Sequence, residues 1–478
     1  MGFLLHFVTL SRQSSSAQGL SRQSVRYPAE FIMRLRFPHL GWHRVHIVSM
    51  LVSMLNGPTA LAEGLDLHGQ ATWIWQSKSA FFAPYSGPHS LSNLQEKSYS
   101  FTSTVSAGWR AGPNTEIYLN PEVVQGVPLS GLAGLGGLTN GELQKTAGPK
   151  PVTYLARAFV RHTWSSVQDS GDDVDLQPAG FNQLSARYPP DRWVLSVGQL
   201  AVSDVFDLNR FAHDARTQFL NWSFLTHGAY DFAADARGYS QGISVERYLG
   251  DWVWRWGRFK VPRESNGLAL DNQWMSHFGD QIEMQHDHDL SGRKGSVRLL
   301  IYRNQAIMAA FDDALVAKPG GTWVIRDLGE VRRRQSKTGW GWSLDQDLIQ
   351  GVGGFLRWAR HDGKTEGYSF GSIDRSFSVG MRLSNSAWLH PNEEWALAVA
   401  VNGLSQAHRR YLSAGGVDFF VGDGALRYST EKIVEALYSL PVGESVRASL
   451  NFQQIQNPGY NQDRGPVRLA AIRLHAEF

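Results

Sequence analysis

The chain has 478 residues, no cysteine and a formal net charge of +3, with 12% aromatic and only 19% charged residues. Lacking thiols, it has no disulfide scaffold, no thiolate metal site and no cysteine chemistry, and no apolar run reaches the roughly eighteen residues of a membrane helix. Its 42% hydrophobic share is too high for a disordered chain, and of the two backbones that can cross a bilayer only the helix is excluded.

Residues 1–62 read as a leader. Arg34, Arg36 and Arg44 form a basic n-region, Val45 to Leu55 a short apolar h-region, and Ala60-Leu61-Ala62 an A-x-A cleavage site. An apolar stretch of about eleven residues is too short to span about 30 Å of hydrocarbon. Met33 sits at the natural start of this signal peptide, and residues 1–32 read as an extension from an upstream start codon, with a long n-region as the other reading. The leader holds six arginines and one acidic residue, Glu30, so its removal turns the formal charge slightly negative. The sequence pI of 8.9 is therefore no sign of nucleic-acid binding, and no nucleic-acid partner is expected.

From residue 63 onward the dominant signal is alternation with period two. Phe101, Val105, Ala107 and Trp109 oppose Thr102, Thr104, Ser106 and Arg110. Ile117, Leu119 and Val123 oppose Glu116, Tyr118, Asn120 and Glu122, and Tyr154, Ala156, Ala158, Val160 and Trp164 oppose Arg157, Arg161 and Thr163. Trp252, Trp254 and Trp256 surround Arg255, and Val297, Leu299 and Ile301 surround Arg298. Phe377, Val379, Met381 and Leu383 alternate with polar residues up to Arg382; Val446, Ala448, Leu450 and Phe452 alternate with Arg447, Ser449 and Asn451. The last segment sets Ala470, Ile472, Leu474, Ala476 and Phe478 against Arg473, His475 and Glu477.

A soluble sandwich would also alternate, but with a bulky apolar face turned inward. Here the apolar face is often small, with Trp, Tyr and Phe toward strand ends, as an aromatic girdle requires. The expected fold is all-β, a transmembrane antiparallel β-barrel of about 16 strands with inward-folded constriction loops over residues 63–478, both termini periplasmic. An Arg or Lys on the lipid face would cost about 2–4 kcal/mol at the midplane. Glu116, Tyr118, Asn120, Glu122, Arg157, Arg161, Arg255, Arg298, Arg382, Arg447 and Arg473 are thus expected to face the lumen.

Residues 201–240 form a connection far longer than a hairpin needs, carrying Asp207, Arg210, Asp214, Arg216, Trp222, Tyr230 and Arg237. Mixed Arg and Asp across a narrow pore favour polyhydroxylated solutes, the guanidinium presenting a planar fork of five donors. Trp222 and Tyr230 are candidates to stack on a sugar's apolar face. The plainer reading is that these side chains only staple the loop to the wall. The glycine-rich stretch 121–151 reads as a second inward loop, because no P-loop Lys-Ser or Lys-Thr follows it.

No catalytic residue, cofactor or metal is expected. His286-Asp287-His288-Asp289 precedes a polar turn without a further ligand, and no G-x-S-x-G elbow occurs. Arg332-Arg333-Arg334 reads as a solvated loop touching lipopolysaccharide phosphates.

Several longer blocks carry a resemblance. NPGYNQDRGPV (457–467), the closing RLHAEF (473–478), FFVGDG (419–424), SDVFDLNRFAHDARTQFLNWSF (203–224), AADARGYS (233–240) and PEVVQGVPLSGLAGLGGLTNGE (121–142) resemble, in order and spacing, the carbohydrate-selective porins of the OprB family. The segment ends are closer to a proteobacterial branch with mostly unassigned substrates than to the glucose-uptake members. The resemblance implies passive, carbohydrate-preferring diffusion of small sugars across a Gram-negative outer membrane, through a barrel whose inward loops constrict the pore. Expected partners are small carbohydrates, outer-membrane lipids and lipopolysaccharide, and the barrel-assembly machinery reading Phe478. The alternatives are a nonselective ion porin, or a plugged barrel acting in surface-polysaccharide assembly or as an enzyme.

Overall fold

The computed structural model describes residues 64–165, 175–319, 321–384 and 392–478; the expected signal peptide, with Met33 and the expected cleavage after Ala62, lies outside them. Sixteen strands close into an antiparallel barrel. The first eight are β1 (Leu65–Lys78), β2 (Glu96–Gly112), β3 (Thr115–Val127), β4 (Val152–Ser165), then, after a small hairpin of β5 (Asp175–Gln177) with β6 (Ala186–Tyr188), β7 (Arg192–Leu200), β8 (Ser240–Leu249), β9 (Trp252–Phe259) and β10 (Phe278–Asp289). There follow β11 (Lys294–Met308), a second small hairpin of β12 (Leu315–Ala317) with β13 (Trp323–Ile325), β14 (Arg333–Ile349), β15 (Val352–His361), β16 (Arg375–Leu383), β17 (Glu394–Gly403), β18 (Glu431–Pro441), β19 (Val446–Gln456) and β20 (Val467–Glu477). Each barrel strand pairs with its neighbours in the chain, and β20 pairs with β1 to shut the ring. The seam runs on past β20, where the Phe478 and Gly69 amides exchange hydrogen bonds of 2.9 and 2.7 Å.

Alternation assigns the faces as expected on most strands. Trp252, Trp254 and Trp256 are exposed on the outer surface while Arg255 between them is 4% exposed, and the same holds for Val297, Leu299 and Ile301 around Arg298. Trp109, Trp164, Trp193, Trp252 and Trp395 are exposed near the tight-turn ends of their strands, where ring and N–H suit the two sides of a membrane interface.

On β4 the assignment fails partway. Pro121 has no N–H to give the ladder, and the register slips there, Asn120 facing Arg157 while Pro121 faces Leu155. The skipped residue, Ala156, is a bulge that exchanges the faces. Tyr154 and Ala156, expected to face lipid, are turned inward: the Tyr154 hydroxyl donates to Glu122, and Ala156 is fully buried.

The connections differ at the two ends. At one end lie tight turns such as 113–114, 250–251 and 350–351; at the other lie long loops. Stretch 121–151 is not wholly a loop, because β3 runs to Val127 before the chain turns inward. The lumen, expected to be wet with its aromatics on girdle and pore, holds an apolar core instead. Phe206, Tyr230, Phe232, Phe259, Tyr302, Tyr368, Tyr411 and Tyr460 are buried in one cluster between wall and loops. A loop that fills a barrel must bury its own apolar side chains, because it displaces the water that would otherwise solvate them.

The long loops are also tied to one another. His408, in the short helix Gln406–Ser413, stacks on Phe311 at 4.1 Å and lies 3.2 Å from the Asp374 carboxylate and 3.4 Å from that of Asp418. Burial disfavours a charged imidazole here, but the two carboxylates outweigh it and push His408 up to about 9. A group raised on folding stabilises below its unfolded pKa and ceases to as pH rises through the folded value. Tryptic cleavage at Arg409 and Arg410 should therefore accelerate as pH passes about 9 in the native chain, and His408→Gln should abolish that inflection.

Candidate functional site

Loop 201–239 enters the barrel from the long-loop end and is clasped to the wall almost all the way round. The Arg357 Nε donates to Asp207 at 3.0 Å, both side chains wholly buried, and Nη1 donates to the Phe224 carbonyl at 2.7 Å. Arg210 meets Asp345 at 2.7 Å and Asp347 at 3.1 Å. Lys337 meets Asp231 at 2.6 Å. Glu435 on β18 accepts the Leu220 and Asn221 amides at 2.6 and 2.9 Å, and Arg473 on β20 donates to the Ala215 and Gln218 carbonyls at 2.7 and 2.6 Å. A buried ion aimed at backbone groups is satisfied without a free counter-ion.

These clasps leave open the side of the lumen walled by β1, β4, β7 and β8. A chamber of about 340 Å³ remains there, lined by Gln70, Ser196 and Glu246 from the wall and by Asp204, His213 and Asp214 from the loop. That volume falls within the roughly 300–1,000 Å³ of small-molecule sites. A larger hollow of about 710 Å³ opens at the tight-turn rim beside turns 290–293 and 350–351; it belongs to the mouth, since it lies apart from the charge pairs that narrow the passage.

The narrowing is built from facing forks. Arg157 grips Asp204 through two bonds of 2.7 and 2.6 Å, and its guanidinium lies 5.2 Å from the Tyr239 ring centre. Arg216 meets Glu142 at 2.9 Å and Glu122 at 3.6 Å. Glu122 also accepts from Thr104, Gln144, Tyr154 and Tyr239, and Arg237 covers the Tyr154 ring at 4.3 Å. Burial would raise the Asp204 and Asp214 carboxyls, but Arg157 and Arg216 respectively outweigh it and hold them below the usual carboxylate range. At Glu142 burial wins over Arg216, and the carboxyl is pushed up.

A second segment enters from the opposite end. The connection between β4 and β7 is long where its neighbours are tight turns, and its tip, 180–184, rises onto the β2–β4 wall. The Asn182 side-chain carbonyl accepts from Ser106 at 3.0 Å and from Asn120 at 2.7 Å, its backbone carbonyl accepts from Arg161 at 3.1 Å, and the Leu184 amide donates to the Tyr118 hydroxyl at 3.0 Å. Glu116 accepts from Tyr118 and Tyr188 at 2.8 and 3.0 Å.

The residues singled out from sequence thus fall into separate groups. Glu122, Arg157, Asp214, Arg216 and Arg237 gather at the narrowing, while Glu116, Tyr118, Asn120 and Arg161 hold the second segment. Asp207 and Arg210 staple the loop. Arg255 and Arg298 belong to a buried network, Arg255 meeting Glu246 and Glu283 at 3.1 and 2.8 Å and Arg298 meeting Asp345 at 2.5 Å. Trp222 and Tyr230 are packed away from the open passage. Trp222 stacks on Phe370 at 4.9 Å, and Tyr230 meets Tyr302 at 5.1 Å. Sequence reasoning missed Glu431 and Glu435, although both lie on the inner face of β18 in plain alternation. It also missed Tyr154, whose face the bulge reversed. Arg332 and Arg333, expected in a solvated loop touching lipopolysaccharide phosphates, pair with Glu366 and Asp313 at 2.8 and 2.6 Å. His286 lies against Trp252 and His288 against Gln346, and no three metal-ligating side chains converge among the described residues.

Residues 89–478 match the family model described as "Carbohydrate-selective porin, OprB family". The fold superposes on the high-pH structure of Pseudomonas putida OprB with a TM-score of 0.65, at 15% identity over 87% of this chain and 94% of that one. A loop-deleted OmpT of Vibrio cholerae aligns over 87% and 99% of the two chains at 9% identity with a TM-score of 0.46. No curated protein sequence matches.

Proposed function

The chain belongs to the OprB family of carbohydrate-selective porins, and from that premise we propose how its lumen passes a sugar. It is an outer-membrane porin for passive diffusion of small sugars, a channel by fold and family. In our reading the long loops face the cell exterior, and the tight turns and both termini lie in the periplasm. Residues 1–62 are removed as a signal peptide, outer-membrane lipids and lipopolysaccharide surround the barrel, and the assembly machinery reads Phe478.

The observation that carries the reading is the pairing at the narrowing. Arg157 with Asp204, and Arg216 beside Asp214, set donors beside acceptors around a chamber of about 340 Å³. A sugar shedding water meets both kinds of partner at once, so desolvation is largely compensated. Each contact must stay weak enough for the solute to leave, as conduction requires. A simple ion would find its favourable partner already neutralised by a neighbour of opposite sign. Arg157, Asp214 and Arg216 are the side chains we assign to sugar contact, with Glu122 and Arg237 holding them in place.

Liposome swelling with the purified protein should show neutral hexoses entering faster than amino acids of equal mass, and sugar added to planar bilayers should reduce ion current reversibly. Currents blind to every sugar sink the reading. A nonselective ion porin would instead have Arg157, Arg161 and Arg216 substitutions alter ion selectivity and leave sugar passage unchanged.

A further inference from the structure

The segment that rises from the tight-turn end does more than close a gap. Its tip is fixed before any solute arrives: the Gly180 and Gln183 amides and carbonyls bond reciprocally at 2.9 and 3.0 Å, and Asn182 adopts φ 59°, a left-handed conformation that Asn tolerates. Three strands hold it through Ser106, Asn120 and Arg161. Between glycine and asparagine stands Phe181, a half-buried side chain that lines the chamber. Among the described residues its ring stacks on no other ring and receives no cation. The ring thus lines the chamber without an aromatic or cationic partner of its own.

The other surfaces of the chamber supply what the ring lacks. Arg157 and Arg161 line it from the wall, and Asp204, Asp214 and Arg216 from the inserted loop. A pyranose has one comparatively apolar face of C–H groups and a rim of hydroxyls, and such a ring fits a site with an aromatic floor and a polar rim. We infer that Phe181 is the aromatic platform of the sugar site in this chamber, placed on the tight-turn side of the Arg157–Asp204 pair and taking monosaccharide-sized pyranoses. The inference rests on the sugar-channel reading.

The test is sugar-induced current noise and block in planar bilayers, using the full-length mature protein with glucose, maltose and sucrose added to either side. Phe181→Ala should raise the half-blocking sugar concentration by about five- to tenfold, in line with the loss of one aromatic contact, while conductance in sugar-free salt changes by less than about twofold. Phe181→Trp should restore binding. Phe181→Leu, which keeps apolar volume at the tip, should behave as Ala does and separates a lost platform from a collapsed segment. The loss should be larger for sugar added from the tight-turn side. If the native channel is blocked by sugar and all three variants are blocked equally, the platform is wrong and the channel reading stands. If no sugar affects the native channel, both fall.

Discussion

Asp207→Ala should turn a narrow channel into a wide one. Among the described residues Asp207 is the one carboxylate in ion-pair contact with Arg357, and both side chains are wholly buried. Its backbone amide also donates to Glu283 at 2.8 Å, which holds this stretch of the loop against β10. Removing one partner of a buried pair leaves a charge without compensation, at a cost of about 3–5 kcal/mol. The barrel ladder is untouched by the change, so the loss falls on the docking of loop 201–239. Unit conductance in bilayers should rise at least about twofold, with the reduced sugar preference of a less constricted lumen. The folded barrel should persist, as judged by its unheated electrophoretic mobility. Arg357→Ala should do the same, and the double variant should be milder than the sum of the two, since neither charge is then left alone.

The second large effect should follow from Arg216→Ala. This guanidinium serves Glu142 at 2.9 Å and Glu122 at 3.6 Å, and the amide of the same residue donates to Asp214 at 2.8 Å. Without it the carboxylates of Glu122, Glu142, Asp204 and Asp214 share the narrowing with Arg157 and Arg237. The preference for potassium over chloride, read from reversal potentials in a salt gradient, should rise about threefold or more, because a charged constriction concentrates counter-ions. Sugar block should weaken in the same recordings. Arg216→Lys should keep the ion preference and still lose sugar affinity, since an ammonium is a point charge without the planar fork. Unchanged sugar block with altered ion preference would mean that the pairing does not recognise sugar.

Much of the barrel was legible because a strand with an apolar outer face and a polar inner one must show its two environments in alternation. Arg255 among three tryptophans admits only one orientation. The same rule misled on β4, where one residue of bulge beside Pro121 reversed Tyr154 and Ala156, and a bulge leaves no mark in the periodicity. Within the loops the difficulty is chemical. A buried aromatic and a pore aromatic have the same letter, so Trp222 and Tyr230 could not be told from a stacking platform until Phe370 and Tyr302 were found against them. The charged residues of 201–239 were only partly separable by sequence, because a staple such as Asp207 and a lining group such as Asp214 both need a nearby arginine. The segment at 180–184 carries neither alternation nor a charge cluster, and only its tertiary partners reveal it.

The seam between β1 and β20 has a consequence for biogenesis. Every other barrel pairing joins strands adjacent in the ring order and close in the chain, whereas Trp73 meets Leu474 and Gly69 meets Phe478. Contacts between such distant positions carry the largest loop-closure entropy and form last. Until they form, β1 and β20 each present an unpaired row of amides and carbonyls, a template for the wrong chain. The ring therefore cannot mature progressively from its first strand, and a nascent chain must be held apart from its copies until the final strand arrives.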